Sequence, residues 1–364
     1  MDAAEACRAR LAAQFLSRSS RAGVLDVVRA LGAVQAQDYA GAKWALGQRV
    51  AGATDASIEK LVADGGLLRT HVLRPTWHFV APADIRWMLA LTAPRVAAAM
   101  ASYNRKLELT ADVFRRSHDA IARTLEGGRH LTRAELAVAL AGAGIAASSQ
   151  RLGHLMMQAE LDGVICSGAR RGKQFTYALL DERVPPEPAR ERDESLLDLT
   201  LRYFGTRGPA TAADMSWWSG LGMADVRRGI AMAGKRLREI VLLNRPHWVM
   251  AGRRRATSRR TAHLLPNYDE YFIGLRDRSA MGTRASGTGL LTGGNALTVH
   301  AAFLDGQLVG GWRRLSERST VIVELDLITR ITREERGRLE AQAARLATFL
   351  NVPVTVRDHV RRRR

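Results

Sequence analysis

The segment Gln35-Ala36-Gln37-Asp38-Tyr39 stands where a helical stretch over residues 22–34 should end. Two glutamines at i and i+2 point about 200° apart on a helix but share a face of an extended strand. A neutral amide is no base, yet it can hold a water and offer its dipole to a developing positive charge. For both amides to act at one point, the backbone must leave the helical conformation, and Gly41 nearby permits that. The alternative is a polar helix end that simply exposes two amides. Asp38 is the neighbouring carboxylate, although one position along it should face elsewhere. A second group lies in Leu67 to Val80, which alternates like a hairpin and places Thr76 and His78 on one face and Trp77 on the other. His78 reads either as a phosphate or sugar contact or as a structural histidine.

Other chemistries lack their residues. The glycine-rich run 287–294 has neither the Gly-Lys-Ser/Thr ending of a phosphate loop nor the strand–helix setting of a dinucleotide fingerprint. The nine histidines form no i, i+4 pair, and Cys7 and Cys166 make neither a disulfide framework nor a zinc cluster. No Gly-x-Ser-x-Gly elbow occurs. No metal and no cofactor is therefore expected. The longest near-apolar stretch, 137–147, is too short and glycine-broken to span a bilayer, and the N-terminus has no apolar signal core. We expect a cytoplasmic protein without a membrane partner.

Charge adds a partner. The 364 residues carry 55 Lys+Arg against 36 Asp+Glu, a formal net charge of +19. Among the cations only Lys43, Lys60, Lys106, Lys173 and Lys235 are lysines. Such a balance on a chain with 46% hydrophobic residues points to a polyanion, most simply nucleic acid.

Several elements must position these groups. One pattern, short helices followed by a basic hairpin, recurs. Its clearest copy has helices at 117–125, from the capping box Thr132 to Glu135, and from Ser148 or Ser149 to Leu161. A hairpin over 163–180 follows, with Arg170, Arg171 and Lys173 at its tip. A second copy begins after the proline-rich linker 184–194, with Thr211 as a cap, a helix from Met223 to Leu237 broken near Gly229 and Gly234, and a hairpin turning at 244–246. The N-terminal copy is less regular, with helices at 4–16, 22–31 and 57–63 and Arg74 at its hairpin tip. Three helices followed by a two-stranded wing is winged-helix order. The last hundred residues read as strands around the Asp305-Gly306 turn, with a helix capped at Thr332. The expected fold is α+β: tandem winged-helix (helix-turn-helix) domains at 1–115, 116–183 and 195–262, then a β-rich C-terminal domain at 263–364 with one helix and a basic tail. Cations follow the third wing as Arg253, Arg254, Arg255, Arg259 and Arg260.

Four stretches together resemble the winged-helix DNA glycosylases related to the azinomycin-resistance enzyme, whose members unhook interstrand crosslinks and remove bulky alkylated bases. They are 31–37 with 44–49, 73–78, 264–271 with 274–278, and 299–314. The resemblance covers essentially the whole chain. In that family the active site is a Gln-aliphatic-Gln or Gln-aliphatic-Asp triplet, which implies that Gln35 and Gln37 are catalytic, with Asp38, Thr76 and His78 in support. It implies a monofunctional glycosylase acting on N7-alkylguanine in double-stranded DNA, for self-resistance or repair. A lyase would need an amine, and Lys43 is the lysine nearest the triplet. The expected DNA contacts are Lys43, Arg74, Arg170, Arg171, Lys173 and the five arginines from Arg253 to Arg260. A bacterial, nucleoid-associated monomer is implied. The rival reading is a winged-helix regulator without catalysis, which would need a sequence-reading helix and usually dimer symmetry.

Overall fold

The computed structural model describes residues 1–252, 260–285, 300–317 and 319–359. The chain opens with α1 (Ala3–Ala13) and α2 (Val24–Leu31), then β1 (Val34–Gln35), α3 (Tyr39–Arg49) and α4 (Asp55–Ala63). Strands β2 (Leu68–His71) and β3 (Trp77–Val80) follow, and the 25-residue α5 (Pro82–Lys106) leads away. The three strands form one antiparallel sheet in the order β1-β3-β2. Helix α2 ends because Gly32 takes a φ of +81°, a region that side chains avoid, and the chain then runs extended into β1. The departure from helix that the two glutamines require is therefore made at Gly32. Gly41, expected to make it, lies in the first turn of α3 instead.

The second group holds α6 (Ala111–Leu125), β4 (Leu131–Thr132), α7 (Arg133–Gly142), α8 (Ser149–Leu161), β5 (Ile165–Ser167), β6 (Thr176–Leu179) and α9 (Leu180–Arg183). Thr132 and Glu135 form the anticipated capping box. The sheet order is β4-β6-β5, and the group closes a core of its own around Ile121, Leu125, Leu136, Leu155 and Ile165. The third group holds α10 (Arg192–Arg207), α11 (Ala212–Ser219), α12 (Met223–Ala233) and the hairpin β7 (Leu237–Leu242) and β8 (Arg245–Met250). Helix α12 runs through Gly229 and stops at Gly234. The hairpin turns at Leu243 and Asn244, both at positive φ, which leaves Arg245 and Pro246 inside the strand rather than in the turn.

The last group is a five-stranded sheet of β9 (Ala262–Leu265), β10 (His300–Leu304), β11 (Gln307–Glu317), β12 (Thr320–Leu327) and β13 (Val354–Asp358), in the order β13-β12-β11-β10-β9. Between β9 and β10 the chain forms the short α13 (Glu270–Ile273), and α14 (Arg333–Leu350) leads to β13, which pairs with β12 in parallel. The fold is α+β with a β-rich C-terminal sheet. The first and last groups share one core: Val28, Leu31, Trp44 and Phe79 pack with Leu264, Val309, Val323 and Leu346. A second core joins α1, β2 and α5 to α10, α11, α13 and β10. The 116–183 segment closes a core of its own but also sets Cys166 and Leu180 into the second core and Leu161 against Ala93 and Val96 of α5, while the N-terminal, third and C-terminal segments interlock around the glutamine segment. Among the described residues no helix is long and apolar enough to cross a membrane.

Candidate active site

The triplet is held at each backbone group that leads into it. The Gln35 N–H donates to Glu270 Oε1 at 2.9 Å. The Ala36 N–H donates to the Trp77 carbonyl at 2.7 Å, and Arg69 Nε donates to the Ala36 carbonyl at 3.1 Å. Glu270 is itself fully buried, ion-paired with Arg207 and bonded by Trp218 Nε1 at 2.8 Å. Arg69 lies between the rings of Trp77 and Phe175, 4.3 and 4.5 Å from their centroids, and burial pulls its pKa down to about 10. Three strands and α13 therefore set the register of two residues.

The two glutamines are not equivalent. Gln35 is 5% exposed on β1, cross-strand from His78, whereas Gln37 is exposed in the bend before α3. Arg74 Nη2 donates to Gln35 Oε1 at 2.6 Å. Arginine has no acceptor, so the amide oxygen faces Arg74 and the NH2 is left for other partners. Arg74 lies against Trp217, 5.7 Å from the ring, and Trp217 is 36% exposed. Helix α11 can approach this turn because it ends in Gly220 at φ +71°, where a Cβ would lie 2.2 Å from the Leu73 carbonyl oxygen.

Arg74 was expected at a hairpin tip facing DNA, but its guanidinium turns inward to Gln35. Burial lowers its pKa and Arg207 lowers it further, while Glu270 acts the other way. Asp38 is the N-cap of α3, accepting from the Gly41 N–H at 3.0 Å, so its carboxylate is occupied by the backbone. Replacing it by alanine should cost about 1 kcal/mol of stability. The melting temperature should fall by about 2–4 °C while the catalytic rate is kept. A rate loss larger than the stability loss would make Asp38 part of the chemistry. Thr76 gives its carbonyl to His78 Nδ1 at 2.8 Å, and its Oγ1 is buried without a partner. His78 is fully buried, which removes it from contact with a DNA phosphate.

Lys43 is corrected most sharply. It is 4% exposed and its ammonium bridges Asp55 at 2.8 Å and Glu59 at 2.7 Å, so it is neither a DNA contact nor a free amine. Arg170 pairs with the same Glu59 at 3.2 Å and lies over Tyr39 and Phe175. Its guanidinium is tied into the link between the first and second groups rather than projected from a wing. Arg171 is exposed but pairs with Glu135 at 2.8 Å, and Lys173 is exposed at the tip. Arg260 pairs with Glu334 on α14 at 2.7 Å. Arg253, Arg254, Arg255 and Arg259, the glycine-rich run 287–294 and the basic tail lie outside the described residues. The residues that the sequence did not single out are Arg69, Trp217, Trp218, Arg207 and Glu270. Two of them lay in stretches that carried a signal, Glu270 in 264–271 and Arg69 in the alternating run 67–80.

Known proteins resemble this chain along nearly its whole length. The chain is similar to an interstrand DNA cross-link repair glycosylase of Streptomyces sahachiroi, 26% identical over 365 residues, which spans 95% of this chain and 97% of the relative. Its fold is that of the solved Streptomyces sahachiroi DNA glycosylase AlkZ, with a TM-score of 0.80 over 98% of this chain and 99% of that one at 23% identity. Residues 28–349, which include the triplet, β1 to β3 and Glu270, match the family described as DNA glycosylase AlkZ-like; the chain belongs to that family of enzymes.

Proposed function

We propose that this protein is a monofunctional DNA glycosylase that hydrolyses the N-glycosidic bond of N7-alkylated guanine. Its substrates on this reading are bulky natural-product adducts and interstrand crosslinks in double-stranded DNA, and the benefit is self-resistance or repair. The observation that carries the reading is the Gln35-Ala36-Gln37 triplet. Its backbone is fixed from three sides, with one amide buried against Arg74 and the other open to solvent.

The chemistry suits weak groups. Guanine alkylated at N7 is cationic, so the C1′–N bond breaks with its electron pair leaving on a neutral base, and positive charge develops on the sugar. The site must then stabilise that charge and deliver a water. The exposed Gln37 carbonyl is suited to the first task and the Gln35 NH2 to the second. A lyase step needs a free amine, and the lysine nearest the triplet is held by two carboxylates. Each of the three helix-and-hairpin groups reads as a winged helix. The exposed tips carry Lys173 and Arg171 on one wing and Val241, Leu243 and Arg245 on another. Cations suit phosphate, and an apolar hairpin tip suits entry beside an unstacked base. The protein acts as a monomer on this reading, in the bacterial cytoplasm at the nucleoid.

The test is release of N7-methylguanine and of a bulky N7 adduct from duplex DNA under single-turnover conditions. Abasic sites are scored after mild base without heat. The wild type should release base and the Gln35→Ala/Gln37→Ala double variant should fall to the spontaneous rate while DNA affinity is kept. Release that survives the double variant would remove the triplet from the mechanism. No release of either lesion by the wild type would overturn the substrate reading.

A further inference from the structure

The face of the first sheet that Gln35 shares holds polar atoms that nothing in the protein satisfies. Thr70, His78 and Gln35 are consecutive cross-strand partners on β2, β3 and β1, so their side chains lie in one row on one face. Thr70 and His78 are both fully buried. His78 Nε2 and Thr70 Oγ1 nonetheless have no hydrogen-bond partner. Buried polar groups without partners are rare, and a cluster of them in a row marks a place for a polar ligand of small size.

The polarity of each group in the row follows from its fixed neighbour. Arg74 donates to Gln35 Oε1, which turns the amide so that its NH2 is the free end. His78 Nδ1 lies 2.8 Å from the Thr76 carbonyl, and only an N–H can bond there. The ring hydrogen is therefore on Nδ1, and Nε2 presents a lone pair. Burial, with Arg74 beside the ring, pushes the His78 pKa well below the usual imidazole value, so the ring stays neutral. The row thus offers a donor at Gln35, an acceptor at His78 and a hydroxyl at Thr70.

We infer that Gln35, His78 and Thr70 form the water site of the reaction, with the Gln35 NH2 donating to the water oxygen and the water donating to His78 Nε2. The inference rests on the glycosylase reading above and assigns a proton acceptor within it. The C1′–N bond breaks with its electron pair going to the cationic base, which leaves neutral. The water oxygen bonds to C1′, and its proton passes to His78 Nε2, which hands it to the water that next enters the row. A weak acceptor suffices, because an oxygen newly bonded to an oxocarbenium carbon is far more acidic than imidazolium. Thr70 Oγ1 holds the water from the β2 side. The charged and titratable groups around the ring are Arg74 from the β2–β3 turn, His71 from β2 and Arg207 from α10, with Glu270 of α13 paired to Arg207.

The experiment measures single-turnover release of N7-methylguanine by wild type, His78→Phe, His78→Gln and Thr70→Val. It is run from neutral pH down to acid well below the usual imidazole range, as far as the fold is kept, with spontaneous release subtracted and with DNA affinity and melting temperature as controls. His78→Phe fills the space without an acceptor and should lower the rate about 10²-fold or more. His78→Gln keeps an acceptor oxygen and should retain more activity. The wild-type rate should stay flat through the usual imidazole range and fall only in stronger acid, where the depressed Nε2 becomes protonated, and the His78→Gln rate should lose that fall. Thr70→Val should slow release with the fold kept, which decides the matter if His78→Phe does not fold. Wild-type rates in both His78→Phe and Thr70→Val, or the same acid decline in His78→Gln, would overturn the inference and leave the glycosylase standing. A wild type that releases nothing would overturn both.

Discussion

Gln37→Ala should lower the single-turnover rate of N7-alkylguanine release by about 10²–10³, the usual loss when one aligned dipole is removed from a charge-developing centre. DNA affinity should change little, because Gln37 is one exposed amide on a strongly basic protein. Gln35→Ala should cost less in rate and more in stability. Its amide oxygen already accepts from Arg74 at 2.6 Å, which places a cation behind it and makes it a poor partner for a sugar cation. What Gln35 offers is the NH2. Removing its side chain also leaves Arg74 Nη2 without that acceptor in a half-buried position, where Arg74 Nε already has no partner. The sharpest discrimination is Gln37→Asp, which keeps an oxygen at the exposed position and adds a negative charge. If Gln37 acts by stabilising positive charge, Gln37→Asp should retain the wild-type rate or exceed it, whereas Gln37→Ala fails. If the NH2 of Gln37 is what matters, Gln37→Asp should fail as Gln37→Ala does. Burst-free release kinetics on a defined N7-methylguanine duplex, read beside Kd for the same DNA, separate the two.

The parts of this arrangement that were legible in the sequence are those set by local rules. The capping boxes at Thr132 and Thr332 fixed helix starts, and the alternation of 67–80 marked the strands that carry His78. The second group, whose core is its own, matched its expected elements most closely. The helices α3 and α5 were missed for a physical reason. Ten of the eleven residues of α3 are buried, so it has no polar face and no periodicity to detect. Pro94 inside α5 argues against a continuous helix in a sequence, yet the helix runs through it. Three of the expected DNA contacts are turned inward in a consistent way. Lys43, Arg74 and Arg170 stand in basic or hairpin sequence but are drawn inward by Asp55, Glu59 and the Gln35 amide, partners distant in sequence or of opposite sign. A formal charge of +19 tells that a polyanion is to be expected without telling which arginines are free to meet it.

The stability of the site should be more sensitive to Glu270 than to the residues of the reaction. Glu270 and Arg207 are both fully buried, and the carboxylate takes Arg207 and Trp218 on Oε2 and the Gln35 N–H on Oε1. In Glu270→Gln the amide has one oxygen and one NH2, so whichever way it turns, an N–H faces a donor, and Arg207 loses its counter-charge. Breaking a buried pair from one side costs about 3–5 kcal/mol. Arg207 keeps the carbonyl of Leu31 and the hydroxyl of Thr206, which favours the lower end. A fall in melting temperature of roughly 10 °C is expected. A matched control is next along the chain. Asp269 holds Arg49 through two bonds of 2.7 and 2.8 Å, equally buried, and does not touch the triplet. Asp269→Asn should lose comparable stability. At a temperature where both variants stay folded by circular dichroism, Asp269→Asn should release base at the wild-type rate, whereas Glu270→Gln should be slowed at least tenfold because the Gln35 backbone has lost its anchor. Equal rates in the two variants would mean that Glu270 only holds α10, α11 and α13 together. Unequal rates would make the carboxylate that fixes the Gln35 N–H a positioning element of the active site, one that acts through a single backbone hydrogen bond.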